Sequence, residues 1–175
     1  MHPRLEYLFE SIEMQRQTLL LSLRALDYET LNNHPEGKWS IIQIIAHLIS
    51  AERLSVNYIT KKIQSVESVA NTGFVEELKM LLLKISQRLP MKFKAPKVVI
   101  ENTTKENNLG KLEEEWNGVR DDLKKILEQV EDHHVKRKIY RHVRVGMINI
   151  QHALQFFREH VIHHKPQIKN LLKRK

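Results

Sequence analysis

The stretch SIIQIIAHLIS, residues 40–50, decides the fold. From Ile41 to Ile49 it is apolar on every side except at Gln43 and His47. A helix apolar all round is buried all round, so this segment belongs at the centre of a helical core and His47 is an interior histidine. Its start is marked by chemistry: Ser40 can cap the helix, Gln43 can complete a capping box, and Trp39 can staple onto Ile44. The helical pattern continues to residue 65.

Three further long helices follow from apolar residues recurring at steps of three and four. The first covers 3–26, with Leu5, Leu8, Ile12, Leu19 and Leu23 on one stripe. The third covers 111–131, through Leu112, Trp116, Val119, Leu123 and Ile126. The fourth covers 146–172. Between the second and third lie a short helix at 74–89, a Lys-rich extended crossing marked by Pro90 and Pro96, and a loop from Asn102 to Gly110. That connection is long enough to cross a bundle, so the second and third long helices can run parallel. The expectation is one all-α domain spanning 1–175, a four-helix bundle with one long crossover.

Composition agrees. The chain has 175 residues, enough for a proper core, and only five Gly and five Pro, too few for a fold of many tight turns. It contains no Cys, which excludes disulfides, thiolate metal sites and cysteine nucleophiles. Arg4, Glu6, Glu10 and Glu13 interrupt any apolar leader, and no membrane span is visible, so a cytoplasmic protein is expected. The net charge of +8 admits a nucleic-acid partner. Basic residues cluster at Lys92, Lys94 and Lys97, at Lys136, Arg137, Lys138, Arg141 and Arg144, and at Lys173, Arg174 and Lys175. Only Phe93 and Tyr140 interleave with them, so a solvated basic face is the favoured reading over a stacking platform.

The chemical signal lies in the fourth helix. His160 and His164 are in phase with its apolar stripe and four residues apart, so they share one face. Two imidazoles so placed can chelate one ion, and His47 is the natural third ligand if the second helix packs on the fourth. The competing reading is three hydrogen-bonded core histidines. Glu52 lies about one turn beyond His47. It is either an acceptor or proton carrier for the site, or the partner of a buried Arg or Lys. Gln167 either bonds a ligand histidine or belongs to a polar rim. His133, His134 and His142 fall in a basic loop and are expected to be solvated, with His142 near the bundle mouth, where the alternative is an approach to the metal. Pro166 removes one helical hydrogen bond and is expected to kink the helix near His160 and His164.

The segment Gly37-Lys38-Trp39-Ser40, followed by His47, Leu48 and Glu52, resembles the second-helix signature of the DinB/YfiT-like superfamily of candidate metalloenzymes. The run from His160 through His163, His164, Lys165, Pro166 and Gln167 to Ile168 resembles that family's closing helix, with Pro166 where the family usually has Gly. The resemblance spans nearly the whole chain. It implies a four-helix bundle with an up-down-down-up course, frequent homodimers, and a three-histidine divalent-metal site that maps onto His47, His160 and His164. The ion would be zinc, nickel, iron or manganese.

The resemblance also implies an activity: a metal-dependent enzyme, such as a transferase using a metal-activated low-molecular-weight thiol against an electrophile, or a hydrolase. The alternatives are a non-catalytic metal-binding or stress-response module and, less favoured, nucleic-acid binding through the basic surface. Nothing in the residues themselves names the thiol or the electrophile.

Overall fold

The computed structural model describes residues 1–89 and 95–173. Its helices are α1 (Pro3–Arg24), α2 (Tyr28–Asn32), α3 (Ile41–Ile63), α4 (Phe74–Arg88), α5 (Lys97–Glu101), α6 (Leu109–Gln129) and α7 (Ile150–Leu172). A single antiparallel hairpin, β1 (Tyr140–His142) with β2 (Gly146–Ile148), is the sheet among the described residues, and the class is all-α. Pro90, Lys92, Phe93 and Lys94 of the expected crossing, and Arg174 and Lys175 of the basic tail, lie outside the described residues.

Local chemistry sets the helix starts. Ser40 and Gln43 form the reciprocal capping box at α3, with the Gln43 N–H donating to Ser40 Oγ and the Ser40 N–H to Gln43 Oε1. Asn108 caps α6 and Asn149 caps α7 through their side-chain oxygens. Each such cap satisfies an amide that the helix itself leaves unpaired.

The four long helices pack in pairs, α1 on α6 and α7, and α3 on α6 and α7. The buried middle of α3 joins them. Beside it the Glu52 carboxylate accepts from Trp116 Nε1 and from the Arg120 guanidinium, each at 2.8 Å. Arg120 in turn approaches Glu13 of α1, which also holds Arg16. This chain of charges links α1, α3 and α6 without reaching α7.

Several expectations are corrected. Residues 146–149 are not helical: Gly146 has φ +77, a left-handed conformation, and it opens β2, so α7 starts at Ile150. The stretch after Pro96 turns into α5, and Asp27 caps the unforeseen α2. His134 and His142 are buried, not solvated, at 7% and 4% exposure. His134 meets Glu67, and His142 sits on the inner face of β1. Lys138 and Arg137 pair with Glu76 and Glu67, so part of the basic loop is tied to the first turn of α4 and to the segment before it. Tyr58, Ile59 and Ile63 extend the apolar residues of α3 beyond His47 and by sequence would suit pairing of two copies, but they do not form a free surface. Ile59 is fully buried, and the other two pack against the core, with Tyr58 beside Tyr140 of the hairpin. No helix is long and apolar enough to cross a membrane among the described residues.

Candidate metal centre

The site is built by two helices. The all-apolar first half of α3 forces His47 inward, and the stripe of α7 carries His160 and His164 to the same place. All three are gathered around one point. His160 Nε2 lies 3.2 Å from His47 Nε2 and 3.2 Å from His164 Nε2. Two nitrogens each about 2.0–2.1 Å from one tetrahedral zinc would stand about 3.3–3.4 Å apart, so the observed spacing fits ligands of a single ion.

Proton bookkeeping supports the fit. Gln167 Oε1 can only accept, so His164 Nδ1, 3.1 Å away, carries the ring proton and His164 Nε2 is a lone pair. His160 Nε2 then faces two ring nitrogens and has at most one proton to offer. A single proton serves one of its two contacts, whereas a cation at the centre serves all three nitrogens. Burial keeps the rings neutral and hence able to ligate. It lowers His47 to about 4 and His164 to about 3, and it holds His160 well below the ordinary histidine range. The Nδ1 atoms of His47 and His160 are buried without a hydrogen-bond partner among the described residues, so Gln167 has no counterpart on those two rings.

Aromatic rings enclose the cluster. The Trp39 ring stands 4.8 Å from His47, and Phe156 stacks on His160 at 5.3 Å with 16° between planes. All three histidines line one cavity of about 1000 Å³. Gln167 lines it as well, and Glu52 does not. The carboxylate of Glu52 is directed to Trp116 and Arg120, and burial raises its pKa against the opposing pull of Arg120. Pro166 stands inside α7, which continues to Leu172, and His160 and His164 still meet His47.

The sequence did not single out Trp39 as a wall of the site; it put His142 near the bundle mouth but in a solvated loop, whereas the ring is buried in the cavity wall 4.4 Å from Phe156. Trp39 read as a helix staple, and the two-residue period that buries His142 lasts only three residues, too short to detect. His163, adjacent to a cluster member, lines the cavity too but is not one of the gathered donors, and its Nδ1 bonds to the carbonyl of Gln87 on α4. A second group, Glu67 with His133 and His134, also gathers donor atoms, but Glu67 and His133 are exposed and already hydrogen-bonded to each other.

A search of curated proteins and one of solved structures each returned no match to the chain. The family model of the DinB superfamily matches residues 11–168, a span that contains all three clustered histidines and all four long helices except the first turns of α1 and the last of α7. The chain belongs to the DinB superfamily.

Proposed function

We propose that the chain is a divalent-metal-dependent enzyme in which His47, His160 and His164 hold the ion, and that it transfers a low-molecular-weight thiol to an electrophile. The observation that carries this reading is the convergence of three neutral Nε2 atoms at the wall of one large cavity. The donor set suits zinc, nickel, iron or manganese. A bound ion would supply Lewis acidity, which favours the thiolate form of a thiol at neutral pH. The chain's own part is to keep the rings neutral by burial and to fix His164 through Gln167. It also keeps bulk water from the rings with Trp39 and Phe156. Glu52 has no catalytic part in this reading.

The course of the long helices is proposed as up-down-down-up. Contacts of rising α1 number meet falling α6 number, as Glu13 with Arg120 and Arg24 with Glu113, which supports an antiparallel pair. Arg53 pairs with Glu115, and the groove that both line continues one turn on in each helix with Val56 and Asn57 of α3 and Gly118, Val119 and Asp122 of α6, which supports α3 and α6 running together.

Pairing of two copies is proposed to use the outward face of α4. Met80 and Leu83 of that helix turn into the core, while Phe74, Leu78, Leu81, Leu82 and Ile85 are exposed along its other side. An apolar stripe of this length is more than a monomer ordinarily leaves in water.

The direct experiment is metal analysis of protein purified without an affinity tag, beside a thiol-transfer assay on wild type and His160→Ala. Metal and activity should fall together. Full metal occupancy in the variant would overturn the reading.

A further inference from the structure

The walls of the cavity carry information about what enters it. Most of its surface is carbon: Ile44, Ala51 and Leu54 from α3, Val99 from α5, and Phe156 and Leu171 from α7. A ligand that fills such a space presents an apolar body. The charged lining is one-sided. The chain has 21 aspartates and glutamates, yet none lines the cavity among the described residues, whereas Lys38, Arg141 and Arg144 do. These three are exposed, which places them at the mouth, and Lys38 and Arg141 have no acidic partner among the described residues. A low-dielectric cleft bearing one sign of charge concentrates ligands of the opposite sign.

A buried histidine in the wall outside the triad points the same way. His142 Nδ1 accepts from the Arg144 backbone N–H at 3.3 Å, so in the neutral ring the proton is on Nε2. Burial lowers its pKa to about 4, which keeps that form at neutral pH. His142 is then a hydrogen-bond donor with no acceptor among the described residues, and it calls for an acceptor on the ligand.

We propose that the cavity binds an organic carboxylate with an apolar body, its acidic group among Lys38, Arg141 and Arg144 at the mouth and its body along the carbon lining toward the histidines. The proposal rests on the metal reading only for what happens to the ligand. The binding itself uses the cavity walls, so the two can fail separately.

The test uses the whole chain, stripped of metal with a chelator and dialysed, so that no carboxylate can bind through an ion. Calorimetric titration with decanoate, 1-decanol and decylamine keeps the body and changes the head, and acetate keeps the head and removes the body. Decanoate should bind roughly tenfold or more tightly than the alcohol or the amine, the scale of a charge-assisted hydrogen bond, and acetate should not bind measurably. The double variant Lys38→Gln/Arg141→Gln should lose that preference while binding decanol as before. Both residues are exposed, so its circular dichroism should match wild type. Equal affinity for decanoate and decylamine, or an unchanged decanoate affinity in the double variant, overturns the proposal. Selective decanoate binding by a protein that takes up none of zinc, nickel, iron and manganese supports the proposal and sinks the metal reading. Zinc uptake without that selectivity does the reverse.

Discussion

Gln167 and His164, one turn apart on α7, form a pair in which the amide oxygen accepts the ring Nδ1 proton at 3.1 Å. The pair leaves His164 Nε2 as a lone pair facing His160 Nε2 at 3.2 Å. An outer partner that sets the tautomer of a ligating imidazole contributes to affinity for the ion although it never touches it.

Replacing Gln167 by Leu should therefore weaken zinc binding by about 10–100-fold, the usual cost of losing such a partner, with the helical spectrum unchanged. His160→Ala should abolish stoichiometric zinc, since it removes the nitrogen that contacts both others. Competition against a chromophoric chelator gives both numbers. A Gln167→Leu protein that binds zinc as wild type does would remove Gln167 from the site.

The metal-free protein should lose stability in mild acid. In the unfolded chain these histidines titrate near about 6.5. In the folded chain burial lowers His47 to about 4 and His164 to about 3, with His160 lowered as well. Between those limits the unfolded state takes up protons that the folded state refuses, so the unfolded state gains as pH falls. The contribution is complete above about pH 6.5 and declines steadily toward about pH 4. Urea midpoints measured across that range should show the decline, and a His47→Leu/His164→Leu variant should flatten it. An identical slope in the variant would assign the acid sensitivity to other groups.

Glu52 should matter for folding and not for the ion. Its carboxylate neutralises a guanidinium that is itself almost wholly buried. Glu52→Ala leaves that charge only the more distant Glu13, 3.5 Å away, and should cost about 3 kcal/mol. Zinc stoichiometry in the folded fraction should be unchanged. A variant of normal stability with depleted metal would place Glu52 in the metal site instead.

Light scattering at tens of micromolar (a range chosen to populate a moderate dimer) should give a dimer mass, and Leu82→Lys should give a monomer. Leu82 is more than half exposed, so the change should leave the monomer fold intact. A monomeric wild type at that concentration would remove the proposed pairing through α4.

The sequence by itself determined the helices that are long and periodic, because burial of one face repeats over many turns and averages out local exceptions. It also determined where α3 starts, since Ser40 and Gln43 act within one turn, and it marked His47 as interior through the apolar residues beside it. It placed His160 and His164 on one face of one helix. Their meeting with His47 was decided by tertiary structure, because it depends on how α3 packs on α7, and no local pattern encodes that distance. The choice between the two readings of Glu52 was likewise tertiary: its carboxylate lies beside Arg120 and Trp116, residues more than sixty positions away on α6. The hairpin that buries His142 was illegible for a different reason. Two strands of three residues give no usable period, and they are held in place by pairing Tyr140 with Ile148 and His142 with Gly146, contacts that exist only once the chain has turned back on itself.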